Sequence, residues 1–288
     1  MPEVPEVAAH AERLSEQFAG RILSQFKPFN FTALKTALPA PDDAYGLPLL
    51  SISQRGKYLL LRFEPVTFVV HLMQGGRLLP DTKLSAKPRG GQARFTFEPA
   101  EPDADSFDAD ALLLTEQGKE RRAGVWCVES DGALATPPLD KLGPEAATIT
   151  TDEMANLFAE NSMRIHGFLR DQRVIAGVGR RLANEICHRA QVSPFATTKK
   201  LGSAGAAKIA DATRSCIAES LTEERGRADM SSSKDRHSAV HRRTGESCPV
   251  CGDTVRAVEY SGYTVNYCAK CQTAGKVLAD NTTSKFLK

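Results

Sequence analysis

No apolar run in this 288-residue chain approaches the ~20 residues that a membrane-spanning helix needs, and no charged-then-apolar start marks it for secretion. Nothing repeats internally, and no low-complexity segment stands out. Net charge is nearly absent too, because 37 Lys and Arg against 35 Asp and Glu leave only +2. No whole-chain excess of either sign therefore selects a partner, and any anionic polymer would have to be met by a local patch. These absences predict an intracellular globular chain, with no membrane partner.

What is present supports a sizeable core. The chain is 41% AVILMFWYC and 25% charged, enough for two domains or for one domain with an appendage. Charge is unevenly placed. Residues 164–200 carry eight Lys or Arg against two acids, Asp171 and Glu185, whereas 98–110 is acidic, poor in large side chains and expected to be a solvated loop.

The first half reads as strands. YLLLRF (58–63), TFVVHL (67–72), ARFTFE (93–98), ALLLTE (111–116) and GVWCVE (124–129) are short, apolar and bounded by turn formers, which predicts an antiparallel β-sandwich or barrel. Val4, Val7, Ala8, Ala11, Leu14 and Phe18 recur at helical spacing ahead of it. Three prolines and a glycine in 135–149 mark a linker. Beyond it the pattern turns helical, with Thr151 expected as an N-cap and further helices near 180–190 and 203–222. The polar run 226–246 is expected to be a mobile loop leading to a last module.

Seven cysteines divide into two kinds. Cys127, Cys187 and Cys216 are scattered through apolar stretches and are expected to pack as small core residues. Cys248, Cys251, Cys268 and Cys271 form two CxxC pairs separated by sixteen residues. That spacing suits a tetrahedral zinc site holding a hairpin, in which Val255, Val258, Tyr260 and 263–265 form the strands. One structural Zn2+ is expected. Four thiolates leave no open position for an activated water, so the metal is assigned no reaction.

The segment DQRVIAGVGRRLANEICHRAQVSP (171–194) joins a glycine pair to adjacent arginines and a helix-forming run. Gly177 and Gly179 permit a turn with outward-facing N–H groups, and Arg180 and Arg181 add charge suited to phosphate. Alone the pattern equally describes a packing joint between helices. Followed by a zinc hairpin, it suits a clamp on a duplex.

The start, MPEVPEV, places Pro2 behind the initiator methionine. If Met1 is removed, Pro2 carries a secondary amine with an ammonium pKa of about 8, able to attack a sugar anomeric carbon and form an iminium. Glu3 beside it could move protons. The alternative is a chance proline ahead of a helix whose first-turn acids suit its dipole.

These residues together resemble the formamidopyrimidine-DNA glycosylase and endonuclease VIII (Fpg/Nei) family of DNA glycosylases/AP lyases. The match runs in order through PEVPEV (2–7), GKYLLLRF (56–63), HLMQGGRL (71–78), ERRAGVW (120–126), LGPE (142–145), DQRVIAGVG (171–179), VHRRTGESCPVCG (240–252) and YCAKCQ (267–272). The resemblance implies an α+β multidomain architecture: an N-terminal catalytic β-sandwich with a leading helix at 1–134, a linker at 135–150, a helix–two-turn–helix domain at 151–240 and a zinc-finger hairpin at 241–288. It implies a monomer acting on damaged double-stranded or abasic-site DNA held in a basic cleft, cytoplasmic and nucleoid-associated in a prokaryote or nuclear in a eukaryote. The reaction would be base excision followed by strand cleavage, with the target nucleotide flipped from the duplex. Pro2 would be the nucleophile, Glu3 the proton-transfer carboxylate, Glu6 its support and Lys57 a phosphate contact. His71 would lie on the strand entering the DNA-facing loop, and Met73 or Gln74 would fill the vacated stack. Arg121, Arg122, His166, Gly177, Gly179, Arg180 and Tyr263 fall at DNA-contacting positions.

Several of those positions depart from the family pattern. Arg180 replaces a phosphate-holding asparagine, Leu182 a tyrosine, and His166 a fixed basic residue, a weaker and pH-dependent substitute. Tyr263 stands where the finger presents an arginine, and Ala123 where an aromatic wedge follows two arginines. A member with weak or lyase-only activity, or one that only binds unusual DNA, is the alternative; a zinc-ribbon interaction protein without DNA is a third reading.

Overall fold

The computed structural model describes residues 1–98, 110–117, 121–231, 235–260 and 262–279. Most of the acidic stretch 98–110 lies outside these. The chain divides into two compact units, Met1–Lys141 with Ala228–Met230, and Leu142–Arg227 with Ser231–Lys288. The boundary falls inside the expected linker, and the helical segment and the finger share the second unit.

The first unit is a β-sandwich led by a helix. In α1 (Val4–Phe18), Val4, Val7, Ala11, Leu14 and Phe18 are buried on one face, and a proline occupies the first turn, where a missing N–H costs nothing. With strands numbered in chain order, one sheet runs β1 (Leu23–Pro28), β6 (Gly91–Phe97), β7 (Ala111–Glu116) and β5 (Gly76–Pro80). The other runs β2 (Ser51–Arg55), β3 (Tyr58–Arg62), β4 (Val66–His71) and β8 (Gly124–Glu129), and all pairings are antiparallel. Aromatic rings join the sheets: Phe68 of β4 lies 5.4 Å from Phe26 of β1 and 5.2 Å from Phe95 of β6. Beside the core, Arg94 and Asp81 form a buried ion pair at 2.8 Å.

The five strands expected from sequence are present. β1, β2 and β5 had no comparable signal, since LSQFKP and SISQR are mostly polar and GRLLP is bracketed by glycine and proline. Cys127 is buried in the core, and burial pushes its thiol up to about 12.

The second unit packs helices against a two-stranded hairpin. Its elements are α2 (Thr151–Glu160), α3 (Ile165–Arg170), α4 (Arg180–Arg189), α5 (Thr198–Arg225), β9 (Val255–Tyr260), β10 (Tyr263–Cys268) and α6 (Ala269–Thr273). Thr150, not Thr151, caps α2. Its hydroxyl accepts the Glu153 N–H at 3.2 Å while its own N–H donates to the Glu153 carboxylate at 2.8 Å, so the acid three residues on selects the cap. A kink at Gly202, φ +58, interrupts α5. Cys187 and Cys216 are buried, as expected of core thiols, and burial raises both, Cys216 to about 12.

α4 packs against α3, α5, α6 and β10. Its Glu185 carboxylate accepts the N–H groups of Ala239, Val240 and His241 at 2.6, 3.1 and 2.8 Å. The stretch 226–246, expected to be mobile and poor in core residues, is thus tied to α4 in its second half, and Val240 is fully buried beside the cysteines. Among the described residues no helix is long and apolar enough to cross a membrane.

Candidate functional site

One end of the first unit gathers the chain start and a polar hairpin. Glu3 is the N-cap of α1, buried at 3% exposure, and its N–H donates to the fully buried Glu6 carboxylate at 2.6 Å. Glu6 therefore fixes the backbone that carries Pro2 and Glu3, both buried. Lys57 lies in the two-residue turn between β2 and β3, because Arg55 pairs with Tyr58 and Gly56 supplies φ +58. The residue is 8% exposed, uncommonly buried for a lysine.

Strand register carries the neighbours to the same end of the sheet. Tyr58 pairs with His71, and His71 with Gly124, which follows Arg121, Arg122 and Ala123. The His71 ring lies 4.6 Å from the Tyr58 ring, and its pKa is held down to about 4, first by burial and then by the positive charges of Lys57 and the chain terminus. At neutral pH it is therefore an uncharged imidazole among cations. Lys57 and the Met1 amine thus both bear on His71 here.

The β4–β5 turn separates the two expected wedge residues. Met73 takes φ +51, a left-handed conformation that is strained for its side chain, and turns its sulfur to 2.7 Å from His71 Nδ1. Gln74 is exposed at the tip. The turn closes so tightly that a Cβ on Gly76 would lie 2.2 Å from the Leu72 carbonyl oxygen.

Before β8, Arg121 and Arg122 are exposed, whereas Ala123 is buried. The buried Glu116 carboxylate accepts the Arg122 and Ala123 N–H groups at 2.5 and 2.6 Å. Where an aromatic wedge was looked for, the chain is pulled inward. Glu116 gave no sequence signal, being one acid at a strand end.

In the second unit, a single side chain builds the glycine turn. Gln172 donates to the carbonyls of Arg170 and Val178 at 2.9 and 2.8 Å and accepts the Gly177 N–H at 3.0 Å. Gly177 needs its glycine, with φ +101, and Gly179 is the N-cap of α4. The arginine pair splits. Arg180 is exposed, but Arg181 turns inward to Ser220 Oγ at 3.1 Å, so only one of the two can meet a phosphate in solution.

His166 is also drawn in. It is 2% exposed, stacked on Tyr263 at 5.6 Å and 17°, with its pKa pushed down to about 3 by burial first and by the Arg170 charge next. The ring is neutral at ordinary pH, which leaves no charge for the phosphate grip expected of it. Arg170 lies over the far partner of that stack, 3.9 Å from the Tyr263 ring centre.

The cysteine quartet closes as the spacing required. The four Sγ atoms all lie within 4.8 Å of one another, with Cys248–Cys271 at 3.9 Å and Cys251–Cys268 at 3.4 Å. Four bonds of ~2.3 Å directed to a tetrahedron give sulfur separations of about 3.8 Å, so the donor set fits one metal ion. Hydrogen bonding from the Asp253 backbone lowers the Cys251 thiol to about 7, whereas burial raises those of Cys268 and Cys271, whose thiolates a metal ion's charge would stabilise. His188 of α4 places Nε2 3.3 Å from Cys248 Sγ, an outer partner for the cluster that sequence spacing could not show.

Comparisons with known proteins bear on the whole chain. The family model for the formamidopyrimidine-DNA glycosylase N-terminal domain matches residues 1–114, and that for the formamidopyrimidine-DNA glycosylase H2TH domain matches 142–232. An uncharacterized formamidopyrimidine-DNA glycosylase-like protein of Mycobacterium tuberculosis is 43% identical over 155 residues, which cover 53% of this chain and 98% of that protein. A formamidopyrimidine-DNA glycosylase of Chloroflexus aurantiacus is 27% identical over 284 residues, covering 94% and 98%. Among solved structures, Lactococcus lactis Fpg bound non-covalently to DNA containing an AP site superposes with a TM-score of 0.80 at 19% identity, covering 94% of this chain and 99% of that one. That likeness is one of fold.

Proposed function

Because the chain belongs to the formamidopyrimidine-DNA glycosylase (Fpg/Nei) family, we propose that it is a DNA-repair glycosylase that also cleaves abasic sites, with the Pro2 amine as nucleophile once Met1 is removed. The observation that carries this reading is the burial of Pro2, Glu3 and Lys57 together with the Glu6 carboxylate that fixes the backbone of Glu3, in the unit where Lys57 and the Met1 amine both hold the His71 pKa down.

In the proposed reaction, the Pro2 nitrogen bonds to the sugar anomeric carbon as the bond to the base breaks and the base leaves with the electron pair. The nitrogen loses its proton, and Glu3 delivers a proton to the sugar ring oxygen as the ring opens, leaving an iminium. The Glu3 carboxylate, now free of its proton, takes one from the carbon adjacent to the iminium, and the electrons of that C–H bond expel the 3′ phosphate by β-elimination; loss of a further proton to water drives a second elimination that expels the 5′ phosphate. Hydrolysis returns the amine. Lys57, Arg180, Arg121 and Arg122 are assigned to phosphates and Gln74 to the vacated stack. Cys248, Cys251, Cys268 and Cys271 would hold one zinc ion, whose contribution is to fix the hairpin.

Borohydride reduction on abasic-site DNA tests the reading. A covalent adduct is expected from protein whose intact mass shows Met1 removed, and none from Pro2→Gly. Absence of adduct from the processed protein, with DNA binding intact, overturns it.

A second reading has its own support. The neutral His166–Tyr263 stack and the buried Ala123 replace familiar charged and aromatic DNA contacts, which favours a lyase-only or specialised binding member. Efficient release of an oxidised base from duplex DNA, lost in Pro2→Gly, would eliminate it.

A further inference from the structure

Beside the hairpin, α3 and the segment leading into α5, the second unit holds a cavity of about 430 Å3, lined mostly by apolar surface. Its walls include Arg164, His166, Phe195, Tyr260 and Tyr263. The rings are organised: Tyr260 stands edge-on to Tyr263 at 5.9 Å and to Phe195 at 5.4 Å, while Tyr263 lies flat against His166. Two guanidinium groups border the set, Arg164 at 4.7 Å from the Tyr260 ring centre and Arg170 at 3.9 Å from that of Tyr263.

His166 supplies a second, independent observation. The ring is buried, and among the described residues its one polar partner is the Asn184 side chain, whose hydrogen bond raises the pKa against burial but falls outside ordinary distance and angle, so neither nitrogen is fully satisfied. An unsatisfied buried polar edge costs stability, and such edges are rare unless a ligand or water completes them.

The geometry points to a subsite for an unpaired nucleobase of a DNA strand, its ring among Tyr260, Tyr263 and Phe195, its polar edge toward His166, and its flanking phosphates on Arg164 and Arg170. This rests on the reading of the chain as DNA-acting. Aromatic faces accept any base, and adjacent arginines hold the backbone that joins bases together. A quaternary ammonium, the other ligand that aromatic walls select, is repelled by two guanidiniums already at the rings. A bare phosphate would have no use for the apolar lining.

The subsite gives meaning to the two departures at 166 and 263. Charge that would grip a phosphate has been exchanged for stacking surface, while the guanidiniums remain one residue before α3 and at its end. The implied substrate exposes an unpaired base as well as a reactive sugar.

The test uses the full-length, zinc-loaded protein and a short strand of tetrahydrofuran spacers carrying a single 2-aminopurine, against the same strand with no base. The 2-aminopurine strand is expected to bind on the order of tenfold more tightly, with its fluorescence quenched by stacking. Tyr260→Leu should bring that ratio close to one and abolish the quench. Tyr260→Phe should keep both, and equal melting temperatures of the two variants would show that the fold is not the cause. A base-independent affinity in the unaltered protein, or a ratio unmoved by Tyr260→Leu, overturns the subsite. If ordinary duplex DNA binds and abasic DNA is trapped in that case, the proposed function stands without it; if no DNA of any kind binds, both fall.

Discussion

Each unit contains a histidine ring against a tyrosine, tilted in one and stacked in the other, and the two pairs lie in different surroundings. In the sandwich, His71 lies 4.6 Å from Tyr58, with Lys57 and the chain terminus as its charged neighbours and Met73 sulfur on its Nδ1. In the second unit, His166 lies 5.6 Å from Tyr263, at nearly parallel planes, with nitrogens not fully satisfied beside an apolar cavity. Burial leads the depression of both pKa values. The same residue pair thus sits among charged groups in the sandwich and beside an apolar cavity at the hairpin.

The comparison breaks most sharply through the metal. Cys268→Ser removes one thiolate ligand, and the hairpin that carries Tyr260 and Tyr263 should lose its order, with zinc stoichiometry falling and cleavage by a protease appearing in the hairpin. The His71 ring should keep its NMR shifts. Simultaneous loss of both pairs would show that the units are not separately stable.

Next in size is Glu185→Ala, which leaves three backbone N–H groups without their acceptor. Urea unfolding of the second unit should show a loss of about 2–4 kcal/mol, by the usual cost of unsatisfied buried donors. A change below ~0.5 kcal/mol, the range of ordinary surface substitutions, would mean that the loop finds water instead.

pH distinguishes the pairs more finely. Both histidines are neutral when folded, so the unfolded chain takes up protons first as pH falls below the ordinary value of 6.5. Their contribution to stability is full above 6.5 and is lost on acidification, over a window reaching about 4 for His71 and about 3 for His166. His71→Gln should flatten the fall in unfolding midpoint above pH 4, and His166→Gln should flatten it further into acid. The smallest effect is that of Lys57→Met, which removes a charge that lowers His71; the ring's NMR titration should move upward while that of His166 stays in place.

Much of this arrangement was legible in the chain. Five strands, the leading helix and the cysteine quartet announce themselves by period and spacing, and the order of motifs identified the family. The cap of α2 was misplaced by one residue because two threonines adjoin, and only the distance to Glu153 decides between them. Glu116, Gln172 and Glu185 escaped because each is a lone polar residue whose partners are backbone N–H or C=O groups, which sequence does not display. The burial of His166 depends on α3, Phe195 and the finger hairpin, nearly a hundred residues apart. No local pattern could have shown that its charge is suppressed.

The turn that presents Lys57 has a further consequence. Because Gly56 and Lys57 are its only two central residues, strand register and the lysine's position are set by the same count. One inserted residue would slide β3 by a single step and turn Leu59 and Leu61 out of the core, where both are fully buried. The charge is therefore located first by counting residues, and an error in that count would surface as misfolding before it could appear as misplaced chemistry.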